Sequence, residues 1–184
     1  MAFIGLRNPY IGARKEDGKY EAPFQLGKAV SLNITPNFAE GSLYANDELS
    51  EYDKEFTNAD VTLGTSTIPI EAQMPMFGHT VETTGSKKGV TYNRDDQSGY
   101  VGFGFISVEK VNGVRSFVAA FLPKVKFTEP SDDYETKGES ITYKTPSITG
   151  KATADDDGVW KETDVFATEA EAVSWITGKF TTAA

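Results

Sequence analysis

The chain holds one histidine, His79, and no cysteine. Those two facts dismiss most site chemistry at once. A nucleophilic triad needs an imidazole beside a positioned hydroxyl or thiol, and a zinc centre needs several imidazoles or thiolates. His79 follows Phe77-Gly78 with no second histidine to work with, and it reads as a structural residue. Carboxylates are plentiful, with 27 Asp and Glu, so composition alone leaves an acid–base pair open. No Gly-x-Ser-x-Gly elbow accompanies them. Asp155-Asp156-Asp157-Gly158 resembles the start of a calcium loop. An EF-hand, however, spreads its ligands over about twelve positions and ends on a bidentate glutamate, which is absent here, so an acidic turn is the plain reading. Gly99, Gly102 and Gly104 alternate with Tyr100, Phe103 and Phe105. A phosphate loop must follow a strand and open a helix; glycines inside a strand instead mark close approach of a ring or a backbone, and Phe121 is expected to cover Gly104. No catalytic residue, metal ligand or cofactor is expected, and no enzyme activity.

The elements that surround these residues read as strands. Val, Ile, Thr and aromatic residues dominate between glycines, and strands are expected near 28–35, 40–44, 55–63, 80–84, 89–93, 100–111, 114–127, 139–149 and 158–166. Asn112-Gly113 predicts a type I′ hairpin turn. Its register sets Phe105 opposite Ala120, Gly104 opposite Phe121 and Phe103 opposite Leu122. Both faces of that hairpin are largely apolar, which predicts central strands covered on both sides. Lys110 and Arg115 then face each other beside the turn, either as a solvated tip or as a dock for an acidic patch.

Two stretches alternate without a break. Lys28, Val30, Leu32 and Ile34 oppose Ala29, Ser31, Asn33 and Thr35; Ala59, Val61 and Leu63 oppose Asn58, Asp60 and Thr62. Period 2 means half-buried strands. Between them runs a long polar stretch, 36–54, with a turn signal at Asn46-Asp47. Such an excursion suits an arm that reaches for a partner. Residues 1–27 are expected to form an irregular arm and 128–139 a polar loop. Thr168-Glu169-Ala170-Glu171 is a capping box for a helix over 168–177, carrying Val173, Ile176 and Phe180, with Gly178 as its stop. A shorter helix is expected near Pro69 to Gln73, limited by Pro75.

The chain of 184 residues has the length of one domain, and no repeat or shift of composition divides it. No stretch approaches the roughly 20 apolar residues of a membrane helix, and Met1 to Leu6 lacks the parts of a signal peptide. The lack of cysteine fits a reducing cytoplasm. The net charge of −9 opposes a protein that grips DNA, whose affinity rests on phosphate contacts.

Several segments fall into one ordered series: GLRNPYIG, FQLGKAVSLNITPN, FAEGSLYANDELSEYDKEFTNADVTLG, MFGHTV, YVGFGF, FLPKVKFTEPSDDYETKGES and ITYKTPSITGKATADDDGVW. Together they resemble the major tail protein, or tail-tube protein, of long-tailed phages of Gram-positive bacteria. The resemblance covers nearly the whole chain and implies a mainly β subunit, a single tail-tube domain built as a sandwich or barrel with a flanking short helix or two and extended arms. It implies a structural protein of the virion tail, assembled in the host bacterial cytoplasm, with itself as first partner in stacked hexameric rings. Further implied partners are a tape-measure protein, the tail-tip and tail-terminator proteins, and double-stranded DNA that passes through the lumen without specific binding; no membrane is implied. Arms at Gly5–Tyr20, Glu40–Lys54 and Glu129–Lys137 are expected to bridge subunits or rings, through Leu6, Tyr10, Tyr20, Leu43, Tyr44, Leu49, Tyr52, Asp132, Asp133 and Tyr134. Asn33, Asn58, Asp60 and Thr62 are expected to line the lumen, or else to be an ordinary solvated sheet face. The tube of a tailocin or contractile injection system is the near alternative. A β-sandwich module that binds carbohydrate or another ligand is the alternative of a different class.

Overall fold

The computed structural model describes residues 3–45, 48–136 and 144–182. Its elements are β1 (Phe3–Ala13), β2 (Phe24–Gln25), β3 (Ala29–Ala45), β4 (Glu48–Thr65), α1 (Ile70–Phe77), β5 (Thr80–Thr84), β6 (Lys87–Thr91), β7 (Tyr100–Val111), β8 (Val114–Thr128), β9 (Ser147–Ala152), β10 (Glu162–Phe166) and α2 (Glu169–Thr182). The fold is mainly β.

The local turn chemistry sets the centre of the sheet. Asn112 and Gly113 take φ of 50° and 87°, the left-handed pair that a type I′ turn requires. The strands it joins, β7 and β8, pair Phe105 with Ala120, Gly104 with Phe121, Phe103 with Leu122 and Lys110 with Arg115, as the turn predicts. One antiparallel sheet grows from them in the order β2-β1-β7-β8-β9-β4-β3. β8 changes partner along its length. Phe117 to Phe121 pair with β10 and Val125 to Thr128 with β9. Pro123 sits between the two partnerships, where its missing N–H costs no ladder bond. A separate small ribbon pairs β5 with β6.

The sheet curls until β1 and β3, far apart in strand order, touch. Its inner face is the main core: Ile11, Val61, Leu63, Phe103, Leu122, Phe127 and Ile148 are fully or almost fully buried there. Helix α1 packs into the same core through Ala72, Met76 and Phe77. Helix α2 covers the outer face of β1, β7, β8 and β10, burying Ala172, Ile176 and Phe180 against Ile106, Ala119 and Phe121. Both faces of the β7–β8 hairpin are therefore covered. The capping box forms: the Glu171 N–H donates to Thr168 Oγ1 at 3.3 Å and the Thr168 N–H to Glu171 Oε2 at 3.1 Å.

Several expectations are corrected. The segment 1–27 is not an irregular arm, because Phe3–Ala13 is a strand inside the sheet, paired with β7 on one side and β2 on the other. The polar stretch 36–54, expected as an arm with a strand only at 40–44, is paired through its described length, because β3 and β4 stay paired from Ala29 and Thr65 out to Ala45 and Glu48; the Asn46-Asp47 signal itself lies outside the described residues. The strand expected at 139–149 begins at Ser147, with 137–143 outside the described residues, and that expected at 158–166 begins at Glu162. Helix α1 runs through Pro75, which removes only one backbone bond, and ends at Gly78 with φ of 79°. Helix α2 runs past Gly178 because Phe180, beyond it, is clamped edge-on by Tyr20 and Phe121 at centroid distances of 5.4 and 5.1 Å.

Gly104 is corrected in its reason. What occupies the space over it is the Ile176 side chain from α2, while Phe121 and Phe180 lie over Gly102. A Cβ at 104 would collide with the Ile176 Cγ2. Gly104→Val is expected to push α2 off the sheet and to destabilise the fold by about 1 to 3 kcal/mol, the usual cost of overpacking. A thermal melt reads this, and an unchanged Tm would show that the helix yields freely.

Candidate functional site

Among the described residues no helix packs on β9, β4 or β3, and the sequence explains the character of their outer face. On β3 and β4 the residues that alternate with Leu32, Ile34, Val61 and Leu63 are Asn33, Thr35, Asp60 and Thr62. Asn33, Asp60 and Thr62 are exposed and Asn58 half-buried. Asn33 pairs with Thr62 across the ladder, and Asn37 with Asn58. The four residues expected to share a face thus do so. Two neighbours were not foreseen. Asn37 Nδ2 donates to Asn58 Oδ1 at 3.0 Å and to Asp60 Oδ2 at 2.7 Å. Lys151 on β9, opposite Asp60 in the ladder, reaches Asp60 Oδ1 at 2.8 Å. The one acid among the expected lumen residues is therefore neutralised by a lysine 91 positions away, a pairing that no local pattern encodes.

These bonds hold the Asp60 carboxyl below the ordinary aspartate range, the Lys151 hydrogen bond first and that of Asn37 second. A depressed folded value means that the stabilising contribution is complete above the unfolded value of about 3.9 and fades as pH falls through the lower folded one. Lys151→Ala is expected to move the Asp60 titration back up toward the ordinary value, read by carboxyl-carbon NMR. Equal midpoints in parent and variant would remove Lys151 as the cause.

Beyond Pro36 the same two strands leave the body as a β-ribbon. Its sequence supplies no apolar face, so neither side is buried. Leu43, Tyr44 and Tyr52 are 55, 68 and 54% exposed. Leu49 stands opposite Tyr44 in the ladder. Lys54 bonds Glu40 across the ribbon at 2.8 Å and caps the Phe38 ring at 4.4 Å. At the root, Phe38 meets Phe56 edge-on, and Phe56 stacks on Trp160 at 4.8 Å, which fixes the ribbon to the body.

The three expected contact residues of the first 27 are engaged within the subunit. Leu6 packs on the main core, and Tyr10 lies against the helix α2 cluster. Tyr20 donates to the Pro123 carbonyl at 2.7 Å and touches Phe121 and Phe180, and burial raises its phenol above the ordinary value. A bulge at Arg7–Tyr10, with Asn8 at φ of 51°, aims Arg7 and Asn8 at Glu169 of α2, at 2.7 and 2.8 Å. The segment 129–136 follows β8 without regular structure. Asp132, Asp133 and Tyr134 are exposed, Tyr134 at 87%, and Lys144 bonds Asp133 and Glu135 at 3.2 and 3.3 Å.

His79 is buried at the end of α1. Its Nδ1 lies 2.8 Å from Asp96 Oδ2 and its Nε2 3.6 Å from Glu129 Oε1, with Phe77 and Tyr92 against the ring. The Asn93 N–H first, and His79 second, hold Asp96 below the ordinary range. Asp155 spends its carboxylate on the N–H groups of Asp157 and Val159, closing its own turn with Gly158 at φ of 82°. Among the described residues no cluster of His, Asp and Glu is arranged to hold a metal ion, and no helix is long and apolar enough to cross a membrane.

No protein-family model matches the chain, and no curated protein matches it.

Proposed function

We propose that the protein is a structural subunit of a phage tail tube, stacking as hexameric rings into a conduit for DNA. The observation that carries the reading is the division of one sheet into a covered body and a bare polar face continued by a projecting ribbon. A long paired ribbon with both faces in water supports a role in contacts beyond the subunit. The edges of β3 and β10 that are unpaired among the described residues are a liability in a monomer and are relieved when copies pair around a ring. The bare face, with Asn33, Asn58, Asp60 and Thr62, would line the bore. The ribbon, with Leu43, Tyr44, Leu49 and Tyr52, and the segment with Asp132, Asp133 and Tyr134 would join subunits and rings. The resemblance of the ordered segments supports the same assignment, and it brings the tape-measure, tail-tip and terminator proteins as partners. A contractile-system tube shares every one of these features and is the second reading.

Negative-stain microscopy of the purified protein across a concentration series tests it. Rings or tubes are expected. Hydrogen exchange should show the cross-strand amides of the ribbon weakly protected in monomers, since a two-stranded ribbon in water is only marginally stable, and more strongly protected in assemblies. Featureless monomers at every concentration, with equal exchange throughout, would overturn the reading.

A further inference from the structure

The curled sheet does not close, and an apolar cleft of about 590 Å3 opens along its seam. Strands β1, β3, β7, β8 and β10 all contribute to it, with Leu6, Val30, Leu32 and Phe105 among its walls and Lys161 and Thr163 at its rim. Phe3, Ile4 and Val30 are 59, 54 and 57% exposed beside it. The strands that border it have free edges. Among the described residues, β3 pairs only with β4, β10 only with β8, and β1 meets β2 only at Tyr10 and Ile11. The Lys161 ammonium has no acidic partner among the described residues. Its neighbour is the Trp160 ring at 5.9 Å, and desolvation holds it below the ordinary lysine range.

The chain also carries the complement of this cleft. At the ribbon tip Leu43 lies opposite Glu51, on one face, both exposed. That face offers an apolar side chain beside a carboxylate, where the cleft offers apolar walls beside a lone ammonium. A subunit cannot join the two within itself. Ile34 lines the cleft, and Tyr44 is ten residues further along the same strand, which at about 3.3 Å per residue is roughly 33 Å away on a continuously paired ribbon. Two complementary patches held that far apart on one subunit make a head-to-tail contact, which closes rings or extends filaments.

We infer that the seam cleft is the receptor for the ribbon tip of a second copy of this chain, with Leu43 entering the apolar walls and Glu51 pairing with Lys161. Free strand edges at the seam add backbone hydrogen bonds to the docked ribbon, as in strand addition. The inference deepens the tube reading and rests on it for the architecture into which the contact is built.

The lack of native cysteine makes the test clean. Subunits carrying Leu43→Cys are mixed with subunits carrying Thr163→Cys, under mild oxidation. In parallel, assembly of Lys161→Glu is compared with that of Lys161→Glu/Glu51→Lys by sedimentation, with circular dichroism as the check on folding. Disulfide-linked dimers are expected from the mixture and not from either variant alone. Lys161→Glu should weaken association about tenfold or more, and the double reversal should recover most of it. If tubes form while the cysteines stay unlinked and Lys161→Glu assembles like the parent, the inference falls and the tube reading stands. Linked dimers from subunits that never form rings or tubes would keep the inference and sink the tube reading. An environment-sensitive apolar dye in the cleft, displaced saturably by a medium-chain fatty acid while the protein stays monomeric, would assign the cleft to a small amphiphile and overturn it.

Discussion

Cutting out Glu40 to Lys54 and joining Ala39 to Glu55 through Asn-Gly is expected to leave the fold intact and abolish assembly. Ala39 and Glu55 already face each other in the ladder, and Asn-Gly is the two-residue turn that suits such a pair. The excised side chains that the structure describes are exposed. The anchor at the root, Phe38 on Phe56 on Trp160, stays behind. Changes confined to the exposed surface lie within about 0.5 kcal/mol, so the Tm should move by no more than about 1 to 2 °C. If the ribbon joins copies, the shortened chain should remain monomeric at concentrations where the parent forms rings or tubes. Sedimentation velocity and a thermal melt read the two halves separately. Normal tubes from the shortened chain would show that the ribbon is dispensable, whatever the melt gives.

What could be read in advance, and what could not, follows from how local each signal is. The Asn112-Gly113 turn needs only its own two residues, and it carried the register of β7 and β8 with it. The capping box needs four neighbours, and it forms. Strand β1 is not legible in the sequence because its alternation is broken twice, between Phe3 and Gly5 and between Arg7 and Tyr10, with Asn8 at positive φ and Pro9 beside it. The ribbon reads in sequence as a polar arm with one short strand, 40–44, for the opposite reason. Its pairing is regular apart from bulges near Asn37 and Leu43, but neither face is buried, so no hydrophobic period reports it. The polar face was legible because its partners inside the sheet are apolar and alternate with it. Lys151 beside Asp60, Asp96 beside His79 and Ile176 over Gly104 were not legible, since each joins segments that only the tertiary fold brings together.

If the protein forms the proposed tube, Asp60→Asn is expected to slow DNA passage through it, and the reason lies in Lys151. On β3, β4 and β9 the polar face holds Asn33, Thr35, Asn37, Asn58, Thr62 and Thr149 beside the ion pair of Asp60 with Lys151. The paired charges cancel, and the neighbouring cation on this face, Lys126 of β8 opposite Lys151 in the ladder, lies over the Tyr100 ring at 5.5 Å. DNA carries about one negative charge per 1.7 Å of duplex axis, and every lysine that contacts a phosphate adds a salt-dependent grip. While Asp60 holds it, Lys151 is withdrawn from that role; an asparagine of the same size would release it toward the bore in every subunit of every ring. Screening over about 8 to 10 Å at physiological salt leaves such a cation effective across a narrow gap of water. Virions carrying Asp60→Asn should therefore assemble tails of normal length but eject slowly, and the defect should shrink as salt rises. Thr62→Lys, which adds a cation with no partner, should act in the same direction. Asp60→Asn/Lys151→Ala should restore the parent rate, since the double variant removes the freed charge. Ejection kinetics at low and high salt for these variants decide the matter. Parent-like rates for Asp60→Asn and Thr62→Lys at both salts would show that this face does not meet the DNA.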